Sequence, residues 1–175
     1  MLPSISFTLD FIEQAHKNQK RKYTNDRYTI HCLNVANIVS GVSDNQVLIH
    51  SALLHDTIED TFVTYGEISR TFNQEVARIV RGLTNFDCIN LNKRIDDRKE
   101  RLKYYNEKLS RGCKRIHTIK LADIIDNLSD IEKHDPKFAK KYFGEKKQQF
   151  SLLTKGDKTL YNRCKQIIDN YYKGK

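Results

Sequence analysis

An apolar helix that runs straight into a cluster of imidazole and acid groups sets the strongest constraint on how this chain folds. Asn45 to Asp56 is apolar nearly all round (Val47, Leu48, Ile49, Ala52, Leu53, Leu54), the mark of a helix at the centre of a core. It ends in His55 and Asp56, and Glu59 and Asp60 follow one turn later. At about 100° of rotation per residue, Asp56 shares a helix face with Asp60, and His55 with Glu59. Charged groups at the end of a buried helix must be paired or hold a metal. An adjacent His-Asp pair alone also fits a capped helix end with an acid cluster in solvent, so the reading turns on whether further ligands lie elsewhere.

The remaining segments read as helices as well. Two prolines and seven glycines in 175 residues argue against a turn-rich β fold or a disordered tail, and no stretch alternates apolar with polar residues. Periodicity predicts a first helix over 6–19, with Leu9, Ile12 and His16 on one stripe, emptying into the basic turn Gln19 to Asp26. A second runs from about Ile30 to Gly41, and Ser43 or Asp44 is the expected cap of the central helix. Thr64 to Glu67 has capping-box spacing and opens a short helix ending near Phe72. Asn73 caps the next, through Val76, Ile79, Val80 and Leu83. Thr84 to Leu91 reads as a polar loop. The charged segment 92–111 reads as a solvated helix over a site mouth, with Ile95, Leu102, Tyr105 and Leu109 as its thin apolar stripe. Ile116 to Ile131 is a second apolar run, Pro136 opens a helix through Phe138, Tyr142 and Phe143, and Asp157 caps the last. One all-α domain over 1–175 is expected, with core motifs in 11–130 and C-terminal helices in 135–173.

Lys and Arg exceed Asp and Glu by 31 to 22, a net charge of +9 that favours polyanionic partners, although most of the excess fits a solvated lysine-rich surface. No apolar run approaches the roughly 18 residues of a membrane span, and the start MLPSISFTLDF lacks the pattern of a secretory leader. Cys32, Cys88, Cys113 and Cys164 form no CxxC pair, as befits reduced thiols. A cytoplasmic location is expected, without membrane partners.

Further ligands do lie elsewhere. His31 opens an otherwise apolar helix in YTIHCLNVA, and Asp123 interrupts the second apolar run in IKLADIIDNL. Each alone fits a satisfied core residue. With His55 and Asp56 they supply two imidazoles and two carboxylates on three buried helices. That donor set favours Mn²⁺ over Zn²⁺, with Fe²⁺ or Mg²⁺ as further candidates for a single ion. A six-coordinate ion would keep positions for water and a phosphate oxygen.

The H…HD…D pattern resembles the HD-domain metal-dependent phosphohydrolases. Its wording is similar to the hydrolase domain of RelA/SpoT-type alarmone enzymes, especially the small stand-alone kind. The resemblance covers about Phe11 to Asp130, on AHKNQKRK followed by YTIH, ALLHDTIEDT, Leu83-Thr84, and KLAD…NL from Lys120 to Leu128. It implies a helical HD bundle and a metal tetrad of His31, His55, Asp56 and Asp123. It also implies Glu59 and Asp60 as the pair handling the attacking water, Arg21 and Lys22 at the nucleobase and phosphates, and Asn127 at the ribose. The implied reaction is Mn²⁺-dependent removal of the 3′-pyrophosphate of (p)ppGpp or a close relative such as (p)ppApp, giving the nucleoside di- or triphosphate and pyrophosphate. The alternatives are an HD phosphohydrolase for another nucleotide phosphate, NADPH or a nucleoside monophosphate among them, and a non-catalytic module binding nucleotide or RNA. The intact Glu59-Asp60 pair speaks for turnover, with a small nucleotide rather than nucleic acid as partner.

The chain departs from the family pattern where nucleotide contacts are expected. Cys32 stands in place of the proline after the first histidine, and Thr24-Asn25-Asp26-Arg27 replaces a Gly-Pro turn. Ile124 and Asp126 replace a basic residue and an aromatic or histidine, and Asp130 replaces a small or hydroxyl residue. These positions predict altered base and ribose recognition around unchanged metal chemistry.

Overall fold

The chain is all-helical, as its periodicity predicts. A computed structural model describes residues 1–85 and 98–174, leaving aside the side chains of Arg98 and Asp130. The loop expected at 86–91 with Cys88, positions 92–97 of the charged segment with Ile95, and the Asp130 side chain lie outside the described residues. In order the helices are α1 (Ile5–Ala15), α2 (Thr29–Ser40), α3 (Gln46–Leu53), α4 (Thr57–Asp60), α5 (Tyr65–Thr71), α6 (Gln74–Leu83), α7 (Arg98–Ser110), α8 (Lys114–His134), α9 (Pro136–Leu152) and α10 (Lys158–Lys173). Among the described residues there is no strand, only an isolated bridge between Lys20 and Arg27.

Helix α8 is the axis of the bundle. Ile119, Leu121, Ala122, Ile124, Ile125, Leu128 and Ile131 are buried around most of its circumference, so it must be surrounded. It packs against α2, α3, α6, α9 and α10. Helix α3 is the second hub, against α1, α2, α6 and α8. The buried apolar residues form one contiguous cluster. At its C-terminal end, Phe143 of α9 and Tyr171 of α10 stack with ring centroids 3.7 Å apart.

The expected caps at Thr64, Asn73 and Asp157 are present, each side chain accepting backbone N–H bonds of its own first turn. Three boundaries differ from expectation. Helix α1 stops at Ala15, four residues early, because His16 leaves helical geometry and pairs its Nδ1 with Gln19 Oε1 at 2.7 Å. The cap of α3 is Asn45, whose Oδ1 accepts the Leu48 N–H; Ser43 Oγ accepts the Asn45 N–H instead and shapes the turn before it. Helix α9 continues past its apolar stripe at Phe143 to Leu152.

The basic turn is pinned at both sides. Arg21 N–H donates to the Asp26 carbonyl at 2.8 Å, and Asn25 takes φ 60, a left-handed conformation that asparagine tolerates without glycine.

Gly156 lies so close to α8 that a Cβ there would meet Leu121 Cδ1 at 2.5 Å and the His117 carbonyl carbon at 3.2 Å. Gly144, inside α9, would meet nothing within 4 Å. Gly156→Ala is therefore expected to lower unfolding stability by about 1–3 kcal/mol through overpacking. Gly144→Ala is expected to raise it by about 0.5–1 kcal/mol through helix propensity. Denaturant melts of the two variants check this, and equal effects would contradict the packing described.

Candidate active site

Helix α3 ends at Leu53, not at Asp56 as the sequence suggests. Leu54 and Asp56 relax to ψ near 0°, and Thr57 Oγ1 donates to the Leu54 carbonyl at 2.6 Å, holding the break. The chain restarts as α4 with Asp56 at its N-cap, so His55 and Asp56 occupy a turn rather than a helix face. Asp56 and Asp60 keep their helical relation through the Asp60 N–H bond to the Asp56 carbonyl at 2.9 Å.

The break points the His55 ring inward. Its Nδ1 is 2.8 Å from the Ala52 carbonyl. A carbonyl can only accept, so Nδ1 carries the proton and Nε2 presents its lone pair. That Nε2 is buried without a hydrogen-bond partner; Asp56 Oδ2 lies 3.0 Å away but is not aligned for a hydrogen bond.

His31, in the first turn of α2, is arranged the same way. Its Nδ1 faces Asp126 Oδ2 at 2.6 Å, while Nε2 lies 3.2 Å from Asp123 Oδ1 and 3.6 Å from Asp56 Oδ2. His31, His55 and Asp123 place ligand atoms within 4.8 Å of one another, and all three are buried. Asp56 stands just outside this trio, its Oδ2 accepting from the Tyr28 hydroxyl at 2.6 Å. An orphaned imidazole lone pair beside a second one, with carboxylate oxygens around them, fits a divalent ion.

The two carboxylates of this group lie in the floor of a cavity of about 700 Å³, ample for a nucleotide. Asp56 and Asp123 line it together with Glu59, Asp60, Lys120 and Asn127. Glu59 Oε2 accepts the Asn85 N–H at 2.6 Å, and Asp60 Oδ2 accepts from Gln19 Nε2 at 3.0 Å. An adjoining cavity holds Arg21, Lys22 and Asn127 with Tyr23, Phe138 and Tyr142. Of the expected site residues, Asp56, Glu59, Asp60, Asp123 and Asn127 line the first cavity and Arg21, Lys22 and Asn127 the second, while His31 and His55 are buried behind these linings; Tyr28, Asn127 and Tyr142 are common to both cavities.

Comparison with known proteins agrees with this geometry. The HD-domain family model matches residues 8–155. The chain belongs to the HD-domain family. This HD protein is 31% identical over 140 residues to guanosine-3′,5′-bis(diphosphate) 3′-pyrophosphohydrolase MESH1 of Drosophila melanogaster, covering 77% of this chain and 74% of that one. It is 35% identical over 131 residues to the Xenopus tropicalis protein of the same name, covering 73% and 69%. To the guanosine-3′,5′-bis(diphosphate) 3′-pyrophosphohydrolase of Aquifex aeolicus it is 35% identical over 124 residues, but the match spans only 17% of that relative's length. The solved structure of a metazoan SpoT orthologue that hydrolyses ppGpp superposes with a TM-score of 0.84 at 27% identity, covering 98% of each chain.

Electrostatics in the HD site follow from burial and close carboxylates. Burial opposes a charged His31, yet Asp123, Asp126 and Asp56 outweigh it and hold its pKa well above the ordinary value. His55 is raised likewise: burial opposes, and Asp56 prevails. Burial disfavours ionised Asp123, but Lys120 at 2.7 Å and His31 hold its carboxyl well below the usual range. Glu59 goes the other way, pushed up to about 7 by burial and by Asp56. Asp60 is also raised, by burial and Asp56, against the Gln19 hydrogen bond.

Several neighbours escape the motif. Tyr28 precedes His31 by three residues and its hydroxyl anchors Asp56; only its place in YTIH hints at this. Asn127, expected at the ribose, donates to Asp123 Oδ1 at 2.5 Å from one turn below. Arg21, expected at the nucleobase and phosphates, is largely buried and pairs with Asp126 Oδ2 at 2.9 Å. Asp126 also accepts from Asn34 Nδ2 at 2.9 Å. The departure at Asp126 therefore reaches the metal side as well, standing directly behind His31.

A carboxylate behind a ligating histidine typically supports metal affinity 10–100-fold. Asp126→Asn is expected to weaken divalent-ion binding by about that factor in calorimetric titration of the apoprotein. Because the ion must displace protons from His31 and His55, whose pKa values are raised, apparent affinity should also rise with pH through neutrality. Unchanged affinity in Asp126→Asn would mean that the Asn34 and Arg21 contacts alone account for the residue.

Proposed function

We propose that the chain hydrolyses the 3′-pyrophosphate of (p)ppGpp or a close relative such as (p)ppApp, with one Mn²⁺ held by His31, His55, Asp56 and Asp123. The observation that carries this is a buried His/His/Asp group whose Asp123 lines the same cavity as Glu59 and Asp60. The names of its relatives support the substrate.

When bound, a divalent ion supplies Lewis-acid stabilisation of phosphate charge and lowers the pKa of water toward neutrality. The protein's own groups do the rest. Glu59 and Asp60 orient the attacking water and accept its proton. The water oxygen bonds to the phosphorus carried on O3′, the P–O3′ bond breaks, and O3′ leaves with a proton. Pyrophosphate and the nucleoside 5′-di- or triphosphate are the products. Asn127 and Tyr142, at the junction of the two cavities, sit where the ribose must pass, and the opening between Arg21, Lys22, Tyr23 and Phe138 receives the base. Lys22 Nζ lies 4.8 Å from the Tyr23 ring centroid and 5.5 Å from that of Phe138, so a base entering there meets aromatic faces already carrying a cation.

Incubation with Mn²⁺ and ppGpp, resolved by ion exchange, should yield pyrophosphate and GDP. EDTA or His55→Ala should abolish the reaction; undiminished turnover in EDTA would sink the metal assignment. Glu59→Gln should keep its metal and lose roughly two to four decades of rate, the scale of acid–base assistance.

The pH profile offers a separate check. Glu59 is a base only when ionised, so kcat/KM should fall tenfold per unit on the acid side of its pKa. With metal absent that value is raised to about 7, and a cation beside Asp56 opposes the Asp56 effect and shifts the limb lower. A limb that persists unchanged in Glu59→Gln would assign the proton to another group.

A further inference from the structure

Helices α7, α8 and α9 contribute a wall to the main cavity that carries Arg101, Lys120 and Lys146. These three cations are not equivalent. Lys120 is committed to Asp123 at 2.7 Å. Arg101 is exposed at the rim. Lys146 is partly buried, and among the described residues its hydrogen-bond partner is the neutral Gln149 Oε1 at 3.0 Å, with Nζ 5.0 Å from the Tyr142 ring centroid. No carboxylate of the described residues pairs with it within ion-pair distance. The acids that share the cavity are Asp56, Glu59, Asp60, Asp123 and Glu145.

An ammonium held in a cavity wall without a counter-ion is disfavoured. Burial, and then the neighbouring Lys120, pull the Lys146 pKa down to about 8, against the more distant attraction of Asp123, Glu145 and Glu59. A bound anion would relieve both effects. Gln149 is itself buried, so the lysine head is held at the wall rather than swinging freely in solvent. Lys146 lies one helical turn beyond Tyr142, which stands at the junction with the base-side cavity. A nucleotide reaching from that junction to the metal floor therefore runs past Lys146.

We propose that Lys146 is the anchor of a second phosphate subsite, one that holds a phosphoanion of the same nucleotide other than the phosphate under attack. The proposal rests on the hydrolase reading above. Two groups of such a substrate carry this chemistry: the distal phosphate of the 3′-diphosphate and the 5′-diphosphate. Either way Lys146 makes the site select for multiply phosphorylated nucleotides over simple phosphomonoesters.

The test compares wild type with Lys146→Gln and Lys146→Arg on three substrates. These are ppGpp, an analogue with a 5′-hydroxyl and a 3′-diphosphate, and one with a 5′-diphosphate and a 3′-monophosphate. On ppGpp, Lys146→Gln should lose roughly 10- to 100-fold in kcat/KM, mostly through KM, the scale of one charge-assisted contact. Lys146→Arg should recover most of that loss. The loss should vanish on whichever analogue lacks the phosphate that Lys146 holds, which identifies the source. An equal loss on all three substrates would make Lys146 merely structural, and no loss on any would remove it from the site. Both outcomes overturn the proposal. If wild type turns over none of the three, the hydrolase reading fails. The same panel then serves as a calorimetric binding series, in which wild type and Lys146→Gln binding ppGpp equally would overturn the subsite on its own.

Discussion

Both imidazoles of the site have one nitrogen committed to an oxygen acceptor, and everything else depends on that commitment. His55 Nδ1 is taken by a backbone carbonyl and His31 Nδ1 by Asp126. Each ring therefore aims its other nitrogen into the same small volume, with centroids 5.1 Å apart. Two buried lone pairs facing carboxylates are stable only when protons or a cation fill the space between them. The break between α3 and α4 exists to make this possible. A continuous helix would have carried His55 onward along its face, where the Ala52 carbonyl belongs to the helical ladder.

Around that centre, charge is sorted by element. Four of the cavity's five acids come from the α3–α4 turn, from α4 and from α8, and Glu145 comes from α9. The cations, Arg101, Lys120 and Lys146, come from α7, α8 and α9. Among the described residues Lys120 pairs with Asp123 at 2.7 Å and, with His31, keeps Asp123 ionised in a buried place. The floor suits a metal, and the wall suits what the metal's ligand drags in with it.

Much of this was legible in the sequence, for definite reasons. The helices were readable because their apolar stripes are long and caps such as Thr64, Asn73 and Asp157 use side chains with one obvious function. His31, His55 and Asp123 were readable because each is a polar residue in an apolar run. The end of α3 was not, since Leu54 is as apolar as the residues before it and the break is held by a threonine beyond it. Asp126 was visible as a departure, but its partners at positions 21, 31 and 34 are set by tertiary packing. Lys146 sits in the lysine-rich stretch of α9, and composition alone cannot distinguish a wall lysine from its solvated neighbour Lys147.

Helix α8 carries Lys120, Asp123, Asp126 and Asn127 within two turns; Lys120, Asp123 and Asn127 line the main cavity and Asp126 stands behind His31. A single inserted or deleted residue in that span would rotate part of the set by about 100° relative to the rest. Such a helix behaves as a ruler that cannot be recut. Changes of length are therefore confined to elements outside the ruler, such as the turn before α2, and α8 can take part in a change of nucleotide only by substitution in place, as at Ile124 and Asp126. In lineages that inherit this scaffold, insertions and deletions should gather in that turn and spare α8.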